Sequence, residues 1–228
     1  MNDTPQKLAV AVSGGSDSMA LLDLMLWQGR EVGFDVRAVT VDHGLRPEAK
    51  DEIAHVAAFC QARGIRHDLL TWDGWDGTGN LQSKARKARY ALIRTWAARR
   101  GVDYVALGHT RDDQAETVLM RLARSSGVDG LAGMPERFER GGLTFIRPLL
   151  SQSRDELREY LRHTGIDWCE DPSNEDDSFE RVRARKASKV LGDLGVDDRV
   201  LTRVAWHAQS ASGALNDYLW KEVTQNGL

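Results

Sequence analysis

Short apolar runs alternate with longer amphipathic ones four times before residue 125, and no other feature narrows the possible folds as much. Lys7–Val12, Val36–Val41, Ile65–Leu70 and Val102–Leu107 are short, apolar and rich in Val, Ile and Leu, and read as buried strands. Apolar residues at helical spacing mark Met19–Trp27, Pro47–Arg63, Leu81–Arg100 and Asp112–Arg124. Gly29, Gly64 and Gly101 lie where the first three helices should stop, and Pro47 lies in a first turn. Strands separated by helices must pair in parallel, with helices on both faces of the sheet. The fold expected is therefore α/β, a doubly wound, mostly parallel, Rossmann-like sheet with a helical C-terminal extension. Right-handed crossovers in such a sheet place the ligand crevice at the carboxyl ends of the strands. After Ser125 the pattern changes. Gly127–Gly142 reads as turns, Leu143–Leu150 as a last strand cut by Pro148, and Asp167–Asp177 as an acidic loop. Arg154–His163, Glu180–Leu191 and Val200–Tyr218 read as helices.

Composition removes several classes. No apolar run approaches the ~18 residues of a membrane span, and the N-terminus lacks the basic start and apolar stretch of a secretory signal. Cys60 and Cys169 are the two cysteines and form no C-x-x-C, which excludes a disulfide scaffold and a zinc ribbon and points to a reducing, cytoplasmic compartment. The net charge of −3 conceals segregation. Lys84–Arg100 and Arg181–Lys189 are basic without an acid, while Asp167–Glu180 is acidic without a base. Such blocks are ordinary solvated faces, yet two basic blocks in a net-acidic chain leave room for phosphate binding.

Three segments at strand ends carry the chemistry. The first is Ser13-Gly14-Gly15-Ser16-Asp17-Ser18. Its glycines let the backbone approach a ligand, the N–H groups that open the next helix form an anion site, and the hydroxyls add donors. Asp17 could hold a metal that bridges phosphates. No Gly-Lys-Ser/Thr follows, so this is not a Walker A loop, and the missing final glycine excludes a nucleophile elbow. The second is Val41-Asp42-His43-Gly44-Leu45-Arg46, where Asp42 and His43 could meet a ribose or base and Arg46 a phosphate. The third runs from Gly108 to Thr117. Asp112, Asp113 and Glu116 share a helix face and suit Mg²⁺ or an ammonium group, and His109 suits phosphate charge or proton transfer. Each segment also has a plain reading as a turn or helix cap. Arg86 and Arg89, Arg147, and the alternating Arg181, Arg183 and Arg185 are weaker signals, and His55, His67, His163 and His207 read as structural.

These residues together resemble a known family. Ser13–Ser18 resembles the PP-loop of the N-type ATP pyrophosphatases. Val41–Arg46, Gly108–Thr117, Arg147-Pro-Leu-Leu150, Ala85-Arg-Lys-Ala-Arg-Tyr90 and Glu170-Asp-Pro-Ser-Asn174 are similar to blocks of isoleucine tRNA-lysidine synthases, in order from about Leu8 to about Arg185. That family often shows Arg-Asn-x-Ile-Arg where this chain has Arg181-Val-Arg-Ala-Arg185. The resemblance implies an adenine nucleotide alpha-hydrolase-like fold, with residues 1–195 as the catalytic domain. Residues 196–228 would be a helical extension or linker toward C-terminal domains that help hold tRNA in relatives. It implies that ATP adenylates the C2 oxygen of the wobble cytidine of a CAU-anticodon isoleucine tRNA, and that the ε-amine of L-lysine then displaces AMP. Ser13, Gly14, Gly15, Ser16, Asp17 and Ser18, with Val41, His43 and Gly108, would bind ATP. Asp17, Asp113 and Glu116 would place Mg²⁺. Arg86 and His109 would steady phosphate charge, and Asp112, Asp113 and Glu116 would receive lysine, with one carboxylate or His109 as base. A homodimer is compatible with this reading, and no membrane is involved.

Two other functions start from the same loop. A PP-loop tRNA thiolase commonly uses cysteines for a cluster or persulfide, which the spacing of Cys60 and Cys169 disfavours. A nucleotide-binding module without catalysis would leave Asp112, Asp113, Glu116 and the basic helix idle.

Overall fold

The computed structural model describes residues 7–44, 49–75, 77–170 and 180–226. They fall into two compact units, one drawn from residues 1–108, 136–149 and 154–171, the other from 109–135, 150–153 and 172–228.

The first unit holds β1 (Lys7–Ala11), α1 (Ser16–Val32), β2 (Asp35–Asp42), α2 (Ala49–Ala62), β3 (His67–Thr71), α3 (Leu81–Arg100) and β4 (Tyr104–Leu107). The hairpin strands are β5 (Arg137–Arg140) and β6 (Leu143–Ile146), and the last helix of this unit is α6 (Arg154–Thr164). The six strands lie in the order β3-β2-β1-β4-β6-β5. All neighbours are parallel except the β5–β6 edge pair. The two faces of β1 show why its run is continuously apolar. Leu8, Val10 and Val12 enter one core with Met19, Leu21 and Leu22 of α1, Val56 and Phe59 of α2, and Leu157 and Leu161 of α6. Ala9 enters the other with Tyr90, Ile93, Trp96 and Ala97 of α3. A strand buried on both faces has no polar alternation to show.

The chain leaves β1 toward β2 and β3 on one side, then crosses to β4 on the other. The reversal lies between β1 and β4. The carboxyl ends of those strands are where an open α/β sheet binds its ligand.

The second unit holds α4 (Arg111–Leu122), α5 (Val128–Leu131), α7 (Glu180–Gly192) and α8 (Asp198–Asn226). Its small core joins Ala115 and Val118 of α4 to Leu201 and Ala205 of α8. Among the described residues no helix is long and apolar enough to cross a membrane.

Several boundaries differ from the sequence expectation, for local reasons. Ile65 and Arg66 are not in β3, because the Ile65 N–H still closes the end of α2 on the Cys60 carbonyl at 2.9 Å. The last parallel strand stops at Ile146, before Pro148 and the restricted residue that precedes it. The segment read as turns contains α5 and the edge strand β5, whose Arg-Phe-Glu-Arg has no apolar alternation and is a strand because β6 pairs with it. The last helix is longer at both ends than 200–218. Arg46, the Pro47 first turn and residues 171–177 of the acidic loop lie outside the described residues.

Candidate active site

In the first unit, β1 runs into the Ser13–Ser18 loop and α1. Gly14 takes a left-handed φ of 90°, and a Cβ there would lie 3.3 Å from the Glu52 backbone oxygen. The loop closes on itself: the Ser13 N–H donates to Ser18 Oγ at 3.1 Å, and Ser18 Oγ–H donates to the Gly15 carbonyl at 3.0 Å. The Cys169 N–H donates to the Gly14 carbonyl at 2.9 Å, tying the segment after α6 to the loop. Gly15 is the N-cap of α1 and provides no side-chain cap. A 17-residue helix thus begins with its first N–H groups uncapped by a side chain. That start has the partial positive charge and the directed donors that phosphate requires.

Gly108 follows β4. A Cβ there would sit 3.2 Å from the Asp17 carbonyl carbon and oxygen and from Ser18 Cα, so glycine lets the end of β4 approach the first turn of α1. Asp17 accepts from Ser16 Oγ at 3.0 Å and pairs with Arg154 Nε at 3.1 Å. Arg154 opens α6, 137 residues away, and nothing local in the sequence marks it as a partner of the loop. Val41 lies near the carboxyl end of β2, packed against the α3-side core. His43 follows β2. Its Nε2 faces Arg89 of α3, and its ring meets Trp72 edge-on at 5.7 Å. Burial, and next the charge of Arg89, lower the His43 pKa below the ordinary value near 6.5. Arg86 is exposed on α3, its guanidinium 5.6 Å from the centre of the Tyr90 ring.

In the second unit, His109 and Thr110 lead into α4, with Thr110 as N-cap. The Thr110 N–H donates to Asp113 Oδ2 at 2.8 Å and the Asp113 N–H donates to Thr110 Oγ1 at 3.4 Å, completing a capping box, and the Thr110 hydroxyl adds a bond to Asp113 Oδ2 at 3.0 Å. Asp113 and Glu116 are buried, and Asp112 is half-buried. Both buried carboxylates meet arginines from α7. Arg181 Nη1 lies 3.6 Å from Asp113 Oδ1, and Arg185 Nε donates to Glu116 Oε1 at 2.8 Å. The pairs match because Arg181 and Arg185 are one helical turn apart, as are Asp113 and Glu116. Arg183 is not in either pair. The alternation of the three arginines concealed the useful spacing, which is the i, i+4 pair on a helix. Gln114 makes a two-point clamp on the Met134 backbone at 2.9 and 2.7 Å, and Arg121 holds the Gly130 and Gly133 carbonyls.

Among the described residues, no three of His, Cys, Asp and Glu gather as a metal cage. A Mg²⁺ ion is usually held by one or two carboxylates plus phosphate oxygens. Asp17, an oxygen donor in the first turn of a phosphate-type loop, fits that mode.

A parallel sheet with an open helix start at its switch point defines a nucleotide-binding α/β protein of the loop-to-helix phosphate type. The model of the PP-loop domain family matches residues 1–190, and the chain belongs to that family. It is similar to a tRNA(Ile)-lysidine synthase of Ruegeria pomeroyi, 49% identical over 214 residues, covering 94% of this chain and 51% of that protein. It is also similar to a tRNA(Ile)-lysidine synthase of a Bradyrhizobium species, 44% identical over 210 residues, covering 91% and 59%. The chain therefore spans little more than half the length of these relatives. Among solved structures, the U34-tRNA thiolase of Methanococcus maripaludis with its [4Fe-4S] cluster matches with a TM-score of 0.76 at 19% identity, covering 90% of this chain and 72% of that one. At that identity the likeness is one of fold.

Proposed function

We propose that this chain activates a tRNA base with ATP and joins lysine to it, forming lysidine at the wobble cytidine of a CAU-anticodon isoleucine tRNA. The observation that carries the reading is the uncapped start of α1 behind the Ser13–Ser18 loop, at the sheet's switch point. The tRNA(Ile)-lysidine synthases to which the chain is similar support the choice of substrate.

An amide-like carbonyl is a poor electrophile, so the cytidine O2 first attacks the α-phosphorus of ATP and pyrophosphate leaves. The lysine amine then bonds to C2, and AMP leaves with the former O2. Ser13, Gly14, Gly15, Ser16 and Ser18 hold the phosphates, and Val41, His43 and Gly108 border the nucleotide. Asp17 would hold Mg²⁺, which would offset charge on the departing pyrophosphate. Arg86 and His109 steady phosphate charge. Asp112, Asp113 and Glu116 provide the anionic setting for the lysine ammonium, and one of them or His109 takes its proton before attack. Asp113 and Glu116, already paired with arginine, offer an incoming ammonium shared rather than unopposed negative charge.

The thiolase alternative loses support from the thiols themselves. Burial pushes the Cys60 pKa up to about 11, and burial beside Glu52 and Asp51 raises that of Cys169. Sulfur-transfer cysteines are shifted the other way. The test is incubation with ATP, Mg²⁺, labelled lysine and CAU-anticodon tRNA. The expected outcome is label in the tRNA with one AMP and one pyrophosphate released per label. ATP binding without label in the tRNA, in a protein extended to the length of its relatives, would sink the ligase reading and leave a nucleotide-binding module.

A further inference from the structure

His43 sits where β2 ends, and Arg89 reaches it from α3 with two nitrogens. Nε and Nη2 lie 3.4 and 3.3 Å from His43 Nε2. A guanidinium has donors and no acceptor. His43 Nε2 must therefore be the acceptor, which leaves the proton of the neutral ring on Nδ1. His43 Nδ1 is buried and, among the described residues, has no hydrogen-bond partner. The neighbouring carboxylate of Asp42 is not bonded to it, and its Oδ1 accepts from the Gly44 N–H at 2.8 Å. The third neighbour, the Trp72 side chain, meets the His43 ring in a T-shaped contact, and its indole is a donor only. A buried donor without an acceptor is uncommon, and at a ligand site it is a group that a ligand oxygen or nitrogen can satisfy.

We propose that Arg89 is a positioning residue: it fixes the tautomer of His43, so that the ring offers a single N–H, through Nδ1, to an acceptor atom of the bound nucleotide. This rests on reading the first unit as an ATP site. The direction of the His43 pKa agrees, since a ring held neutral by burial and by Arg89 keeps one tautomer near neutral pH. It also gives Arg89 a role separate from that of Arg86, which faces Tyr90.

The test reads the tautomer directly. Protein labelled with ¹⁵N-histidine has six imidazole rings to resolve, each with two nitrogens, and His43→Gln assigns the ring required. At pH 7.5 the wild type should show His43 as the Nδ1–H form. Arg89→Gln should mix the two tautomers, and Arg89→Lys, which keeps a cationic donor, should partly restore the first. ATP should shift the wild-type Nδ1–H signal. Its dissociation constant should rise about three- to tenfold in Arg89→Gln, the scale of one lost hydrogen bond. The other five histidine signals report whether the variant is folded. An Nε2–H form in the wild type, or an Arg89→Gln protein with unchanged tautomer and unchanged ATP affinity, would overturn the proposal. A wild type that does not bind ATP at all would remove the nucleotide reading, and the tautomer result would stand apart from it.

Discussion

Two of the helices that start with an acidic first turn, α1 and α4, are finished in opposite ways. α1 begins at Gly15, with no side chain closing its first N–H groups. α4 begins at Thr110, closed by a capping box with Asp113, and the carboxylates behind that cap meet Arg181 and Arg185. The first helix start therefore has donors to give to a ligand, whereas the second spends its own on folding. An acid after a helix start is thus no guide to function until its partner is known.

The sharpest way to break this contrast is to spoil the open start. Gly108→Ala places a methyl group 3.2 Å from backbone atoms of Asp17 and Ser18, which cannot yield cheaply. The loop must shift by a few tenths of an ångström, so ATP-dependent turnover should fall by about tenfold or more, and the overpacking should lower stability by about 1–3 kcal/mol. Enzyme kinetics alongside thermal unfolding separates the two effects.

Giving α1 the kind of cap that α4 has should cost less. Gly15 has an extended backbone, and a Cβ there meets nothing closer than 3.8 Å. Gly15→Asp should fold normally, gain up to a few tenths of a kcal/mol from the cap, and weaken ATP binding by about tenfold or more, because a carboxylate then occupies the anion site. Titration calorimetry reads the affinity. Unchanged affinity would show that the phosphates bind elsewhere.

The closed start should respond in stability. Arg185→Ala removes a charged donor from the almost fully buried Glu116 and should cost about 2 kcal/mol in denaturant unfolding, less than for a fully buried pair because Arg185 is partly exposed. Thr110→Val should cost about 1 kcal/mol by removing the cap, without the change in ATP affinity expected from Gly15→Asp.

The smallest effect concerns pH. His43 and His67 both have pKa values lowered by burial, and His67 Nε2 lies 2.9 Å from Thr40 Oγ1, which donates to the Val12 carbonyl ahead of the phosphate loop. A depressed histidine pKa means that the unfolded chain binds the proton more readily. The stability contributed is present above about pH 6.5 and is lost as pH falls through the folded-state pKa values. Melting temperatures at pH 7.5 and 5.5 should differ by less in His67→Gln than in the wild type.

Most of the α/β core was legible because each strand and helix carries its own period. Leu81–Arg100, with Asn80 before it and Gly101 after it, could be bounded from local signals alone. The edge strand β5 could not, since its support comes from β6 and not from its own side chains. The Ser13–Ser18 segment was legible as a glycine-hydroxyl loop between an apolar strand and a helix. Arg154 and the Arg181–Arg185 spacing were not, because their partners lie far away in the chain.

By itself the sequence determined the alternation of elements, the doubly wound class and the place of the Ser13–Ser18 loop between the first strand and the first helix. These depend on residues a few positions apart, whose spacing is set by the geometry of strand and helix. Only the tertiary structure decided which charges are opposed. It sets Arg154 on Asp17, Arg185 on Glu116 and Arg89 on His43, contacts that span 137, 69 and 46 residues. An ion pair or tautomer depends on separations of a few ångströms, and folding alone brings such distant residues that close.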